Sequence, residues 1–266
     1  MPIAPNVAKE RMAAGKIAFG LGIRMSRSVE VVRAARALGY HYAFIDLEHT
    51  TIGMETVSDL CVAGLEAGVT PIVRITGHNY EVAVRLLDGG AQGIVVPHVD
   101  TAAEAAAAVR GCRFPPFGER SPGGGFIQLD WEPMPMREAT ALMNDNLLLT
   151  VMIENPTAVT NIEAIAAVPG IDVISIGSND LAVSMGIPGE FEHPELIAAY
   201  EKVAAAARKN GKYLRIGGIF DPMLVKRSIE IGSRMIMLGH DSGFMQQAMR
   251  GKIGDMKKLL DTALTA

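Results

Sequence analysis

Apolar and polar positions along the chain fall into a repeating order. Short aliphatic runs alternate with longer stretches of helical period. The runs at 17–23, 42–47, 71–75, 93–97, 147–153, 171–176, 213–219 and 234–238 predict strands. Several are nearly unbroken in Val, Ile and Leu, as expected of parallel strands covered on both faces. Helical stripes lie between them: Val57, Leu60, Cys61 and Leu65 within 54–67, Val82, Ala83, Leu86 and Leu87 within 79–88, and Val159, Ile162, Ile165 and Ala166 within 157–168. Helices at 28–38 and 101–110 follow Ser26 and Asp100/Thr101, good N-cap residues. Gly39, Gly68, Gly170, Gly211 and Gly232 stand where helices should close before the next strand.

Eight strands, each followed by a helix, predict an α/β protein, a (β/α)8 TIM barrel. The rival is a doubly wound open sheet, which a dinucleotide fingerprint would favour. The nearest match, Gly20-Leu21-Gly22-Ile23-Arg24-Met25, lacks the third glycine, and no GxxxxGK[ST] occurs. The barrel is therefore the expectation. No Gly/Ser-rich linker divides the chain, so residues 1–266 are read as one domain. The longest interruption, 113–135, holds many prolines and glycines and the single tryptophan, Trp131. It reads either as a solvated connection or as a loop over the barrel mouth.

Composition narrows the function. Hydrophobic residues are 49% and charged residues 20% of the 266, enough for a large core and against disorder. Aromatics are only 5%, and 25 Lys+Arg against 29 Asp+Glu give a net charge of −4. There is no overall basic excess for nucleic acid. Cys61 and Cys112 sit outside any CxxC and read as small buried hydrophobes. The start of the chain shows no apolar signal region and no run long enough to span a bilayer, so a cytoplasmic location is expected.

Barrel active sites gather at the C-terminal strand ends. Here those ends carry Asp46-Leu47-Glu48-His49, Arg74, Pro97-His98, Glu154, Asn179-Asp180, Asp221 and His240-Asp241, whereas the other ends have no such cluster. Glu154 and Asp180, on neighbouring strands, can reach one Mg²⁺ or Mn²⁺, leaving positions for water and substrate. The alternative is that Asp180 caps a helix at 181–185 and Glu154 pairs with Arg74. His49 is a candidate general base, oriented by Asp46, Glu48 or Asp88; its bland reading is a histidine bonded to backbone. Arg74 is a fixed positive charge where an enolate or carboxylate develops, or else a partner for Glu48 or Glu154. No lysine is placed inside the barrel near a strand's C-terminal end, so Schiff-base chemistry is disfavoured; if the barrel does carbonyl carbon chemistry, a metal must serve as the electron sink.

At these residues the chain resembles the metal-dependent (class II) pyruvate aldolases of the HpcH/HpaI family, which includes 4-hydroxy-2-oxoheptanedioate and 2-dehydro-3-deoxyglucarate aldolases. The likeness spans nearly the whole chain. It rests on Phe44-Ile45-Asp46-Leu47-Glu48-His49, Val73-Arg74, the stretch from Leu86 to Pro97, Ile153-Glu154-Asn155 and Ile176-Gly177-Ser178-Asn179-Asp180-Leu181, in this order and spacing. The resemblance implies that Glu154 and Asp180 bind a divalent ion, Mg²⁺, Mn²⁺ or Co²⁺, and that Arg74 stabilises the pyruvate enolate. His49 would be the acid/base at the aldol hydroxyl, through water. Asp88 would raise its basicity, in the same chain or from a neighbouring subunit. The backbone around Ser178 and Asn179 would bind the pyruvate carboxylate, with Arg74 and Asp180 completing the substrate site. It also implies homo-oligomers, commonly hexamers with exchanged C-terminal helices, formed here by 244–266.

Two positions depart from the family pattern. Met152 stands where glutamine is frequent, and Gly177-Ser178-Asn179 replaces a frequent Gly-Pro-Ala/Ser. Both bear on the oxo acid and leave the metal pair intact. The expected activity is cleavage or formation of 4-hydroxy-2-oxo acids from pyruvate or hydroxypyruvate and an aldehyde. The alternatives are an oxaloacetate decarboxylase, an acyl-CoA lyase, a macrophomate-synthase-like enzyme or a non-catalytic oxo-acid-binding barrel.

Overall fold

The computed structural model describes residues 3–264. Eight strands are present: β1 (Ala18–Ile23), β2 (Tyr42–Asp46), β3 (Thr70–Arg74), β4 (Gly93–Val96), β5 (Leu148–Ile153), β6 (Val173–Gly177), β7 (Tyr213–Gly217) and β8 (Met235–His240). The helices are α1 (Val7–Ala13), α2 (Glu30–Ala37), α3 (Met54–Ala67), α4 (Tyr80–Asp88), α5 (Ala102–Cys112), α6 (Met136–Asn146), α7 (Pro156–Thr160), α8 (Ile162–Ala166), α9 (Ser178–Ser184), α10 (Pro194–Lys209), α11 (Pro222–Ile231) and α12 (Asp241–Leu264). All strand pairs are parallel, in the order β7-β6-β5-β4-β3-β2-β1-β8. Between β7 and β8 the ladder shrinks to the Leu214–Ser233 bridge, so the barrel is nearly closed.

The alternation of side chains fixes what each face does. Outward residues such as Ile45, Val73, Ile94, Leu149 and Ile174 pack with the helices in the larger core. Inward residues Tyr42, Phe44, Ile72, Val95, Leu148 and Val173 fill the barrel, joined by Ala8 and Met12 of α1. Helix α1 thus plugs the N-terminal end, and its Ala8 N–H donates to Thr70 Oγ1 at 3.0 Å. The sequence pattern gave no sign of this helix.

The five closing glycines all have positive φ, from 65° at Gly211 to 126° at Gly232, a region that disfavours side chains. Thr101 forms a complete capping box with Glu104. Ser26 is not a cap: α2 starts four residues later, after Val29, and the Ser26 N–H is drawn to Asp241 at 2.7 Å. The single helix expected over 157–168 is two short ones, because the chain turns at Asn161, whose side chain donates to Asp100 O at 2.8 Å.

The 113–135 segment does not cover the mouth. Gln128 donates to Leu87 O and Ala91 O, at 2.6 and 3.1 Å, and Ala4 N–H donates to Gln128 O. These partners lie between the end of α4 and the start of β4, so the segment lies at the N-terminal end of the barrel. Helix α6 then leads into β5. Helix α12 packs on β1 and β8 at its beginning and leaves Met249, Ile253, Met256, Leu259 and Leu260 exposed. Residues 265–266 of the expected exchanged helix lie outside those described. Among the described residues no helix is long and apolar enough to cross a membrane.

Candidate active site

Five of the expected residues meet at one cavity of about 200 Å³ at the C-terminal end of the barrel. His49, Arg74, Ser178, Asn179 and Asp180 line it, along with Arg24, Phe44, Met152, Arg215, Met237 and His240. That is below the roughly 300–1,000 Å³ of drug-sized sites, and suits a small acid.

The strands place two arginines on one carboxylate. Asp46 closes β2, paired in register with Arg74 of β3. Its buried carboxylate accepts Arg74 Nε at 3.0 Å and Nη2 at 2.7 Å, a bidentate fork, and Arg24 Nε stands 3.1 Å away. Burial alone would raise the Asp46 pKa; Arg74 and Arg24 more than reverse this and hold it below the usual carboxylate range. Arg74 Nη1 also meets Glu48 at 2.8 Å. Arg74 is thereby fixed with its guanidinium at the cavity. The alternative pairing of Glu154 with Arg74 is not formed; Asp46 and Glu48 take that place.

Glu154 is buried straight after β5. His98 holds its Oε2, while Oε1 is buried with no hydrogen-bond partner among the described residues. Burial pushes its pKa up, His98 pulls it down, and the charges of Asp180 and Glu48 push it up again. Its neighbour Gly177 leaves room for it: a Cβ there would come within 2.6 Å of Oε1. Asp180 lies in the first turn of α9 and makes no capping bond. An orphaned carboxylate oxygen beside a second carboxylate fits a cation's donor set. Among the described residues no third ligating side chain joins them, which leaves positions for water and substrate.

His49 is half exposed at the mouth; its Nε2 lies 3.9 Å from Glu48. Asp88 is not its companion within the chain. It ends α4, at the opposite end of the barrel, and its carboxylate holds the buried Arg120 at 2.6 Å. Among the described residues no lysine lines the cavity. Cys61 and Cys112 are fully buried in the helical layer, as read from the sequence.

Three participants were missed or left without a role. His98 bridges Glu48 and Glu154. Arg24 leans on Asp46. Arg215 is buried in β7 and faces the cavity. Arg215 did leave a signal: a cation inside an apolar strand, as in Arg74.

The sequence matches the family description "HpcH/HpaI aldolase/citrate lyase" over residues 25–248. The chain belongs to the HpcH/HpaI aldolase family. It is an aldolase, a carbon–carbon lyase. It is 41% identical over 221 residues to a 4-hydroxy-4-methyl-2-oxoglutarate aldolase of Chaetomium globosum, covering 81% of each chain. It is 36% identical over 247 residues to one of Hapsidospora irregularis, covering 90% of each. The crystal structure of an HpcH/HpaI aldolase from Desulfitobacterium hafniense superposes with a TM-score of 0.89 at 31% identity, over 94% of this chain and 96% of that one. In this HpcH/HpaI barrel the cavity stands at the C-terminal strand ends, where TIM-barrel chemistry is done.

Proposed function

We propose that this family member cleaves 4-hydroxy-2-oxo acids to pyruvate, or hydroxypyruvate, and a second carbonyl compound, and forms them in reverse. The observation that carries this reading is Glu154: buried, fixed through one oxygen, and offering the other beside Asp180. Glu154 and Asp180 would hold the divalent cation on which the family's class II aldolases depend, Mg²⁺, Mn²⁺ or Co²⁺. Bound there, a cation supplies Lewis acidity toward the substrate's oxygens.

The protein groups divide the remaining work. Arg74, locked by Asp46 and Glu48, presents a charge to the oxygen that becomes negative as the C3–C4 bond breaks. The backbone around Ser178 and Asn179 lies beside Asp180 to orient the oxo acid. His49, at the mouth, takes the proton from the 4-hydroxyl, directly or through water, as the second carbonyl compound leaves. Asp88 reaches a histidine of this kind only across a subunit boundary, which the exposed apolar residues of α12 favour by calling for a second copy. A hexamer with exchanged α12 is the assembly proposed.

The two fungal relatives are named for a 4-methyl substrate, whose cleavage would release a ketone. The second product here is accordingly taken to include ketones as well as aldehydes. The test is retro-aldol release of pyruvate from 4-hydroxy-4-methyl-2-oxoglutarate and from 4-hydroxy-2-oxo acids, with and without Mn²⁺. Loss on exhaustive chelation and in Glu154→Gln is expected. Cleavage that survives both would overturn the reading. Mn²⁺-dependent pyruvate binding with no turnover of any oxo acid would leave only a binding barrel.

A further inference from the structure

Three arginines face the cavity, and their charges are not equally balanced. Arg24 and Arg74 share Asp46, and Arg74 also has Glu48. Among the described residues no carboxylate pairs with Arg215; the charge of Glu154 acts on it only from beyond contact. Its Nη1 donates to Ser175 Oγ at 2.8 Å, Nη2 approaches Met237 Sδ at 3.9 Å, and its guanidinium stacks 4.9 Å from the Phe44 ring centroid. Among the described residues Nε has no hydrogen-bond partner, although the residue is only 2% exposed. The Tyr42 hydroxyl lies against the Arg215 guanidinium, but burial pushes its pKa up to about 12, so it contributes no charge.

A buried guanidinium without a directly paired counter-ion is unfavourable, and an anionic ligand in the cavity would supply the missing partner. The fold makes room for this one. Gly217 follows two residues later on the same strand face, and a Cβ there would lie 2.7 Å from Arg215 Nη1. The side chain therefore rises along β7 to the cavity floor, beside β6, the strand that leads to Asp180. Met152, on the same floor, offers no hydrogen-bond donor.

We propose that Arg215 is a substrate-binding residue whose guanidinium takes the C1 carboxylate of the 2-oxo acid. The placement follows from depth. The acid's reacting end is anchored on the floor near Glu154 and Asp180, while the bond to be cleaved points toward His49 at the mouth. A floor cation meets the anchored end. Arg215 then separates 2-oxo acids from uncharged ketones and aldehydes of the same size, and leaves the carbonyl partner to the rest of the pocket. This rests on the proposed aldolase reading.

The test is calorimetric binding of oxalate and of pyruvamide to the full chain in saturating Mn²⁺, for the wild type, R215M and R215K. Mn²⁺ binding is read separately by electron paramagnetic resonance. R215M should weaken oxalate on the order of 100-fold, the effect of deleting one partner of a buried charged pair. R215K should fall between. Pyruvamide and Mn²⁺ binding should not weaken. Oxalate affinity unchanged in both variants overturns the assignment and leaves the aldolase reading standing. If R215M does not fold, R215K alone decides, since a lysine cannot reproduce the fork. Pyruvamide weakened as much as oxalate would show that Arg215 does not act on the C1 carboxylate and overturn the placement. No Mn²⁺-dependent oxalate binding by the wild type would overturn both readings.

Discussion

His98 meets one oxygen of Glu154 with two of its nitrogens. Its backbone N–H donates to Oε2 at 2.8 Å, and its imidazole Nδ1 stands 3.0 Å from the same atom. The backbone conformation permits this: His98 has φ 53°, left-handed and uncommon for a residue with a side chain. The other ring nitrogen lies 3.0 Å from Glu48 Oε1, so one imidazole ties the cation-facing carboxylate to the group that fixes Arg74.

From this bridge we expect His98→Asn, which tolerates the left-handed backbone, to keep the fold and weaken Mn²⁺ binding by about tenfold, as outer partners of metal ligands typically do. His98→Gly should weaken it similarly while relieving the backbone. Unaltered Mn²⁺ titrations in both variants would show that the imidazole does not position Glu154.

Gly177 sets how far Glu154 can reach. A methyl at Gly177 would come within 2.6 Å of Glu154 Oε1. Gly177→Ala should therefore displace the carboxylate and lower kcat/KM by on the order of 100-fold, the effect of misplacing a catalytic group by about an ångström. The melting temperature should change little, since the position opens on the cavity. Steady-state kinetics beside a thermal melt decides this; normal kinetics in a folded variant would contradict it.

The strands, the closing glycines and the carboxylate pair were legible in the sequence because local rules dictate them. Unbroken aliphatic runs allow only doubly covered strands, and Gly39 or Gly68 stands where a left-handed residue must end a helix. The charge network was not legible. That Arg74 would choose Asp46 and Glu48 over Glu154 depends on the register of β2 on β3. The place of His98 depends on one backbone angle. The 113–135 segment has the composition of a lid, but its destination is set by Gln128 satisfying Leu87 and Ala91 carbonyls at the far end. Asp88 fitted a histidine partner by motif, while the contact it makes, with Arg120, crosses 32 residues of sequence.

That contact should matter to stability. Arg120 is buried and lies over the Phe114 ring at 4.4 Å, and Asp88 is the acid that balances it. Asp88→Asn would leave a buried charge unpaired, costing about 1–3 kcal/mol once the partial exposure of Asp88 is allowed for. Adding Arg120→Met should recover much of the loss. Urea unfolding of both singles and the double checks it; strictly additive losses would argue that the two side chains are uncoupled.

His240 gives the fold a pH dependence of defined sign. Burial and the charge of Arg24, joined by Arg215 and only partly opposed by Asp46 and Asp241, push its imidazole from the ordinary 6.5 down to about 4. Its Nδ1 is buried without a hydrogen-bond partner, facing Gly22, where a Cβ would come within 2.2 Å. The unfolded chain takes up this proton near pH 6.5, the folded chain only near pH 4. Between those values the unfolded state binds more protons, so stability falls as the pH falls. Below pH 4 this contribution is constant. Its size is on the order of 1–2 kcal/mol after discounting for the group's partial exposure. His240→Gln removes the titration, so its melting temperature should fall less than that of the wild type between pH 6.5 and 4. Parallel pH profiles for the two proteins would mean that the folded imidazole titrates as it does in the unfolded chain.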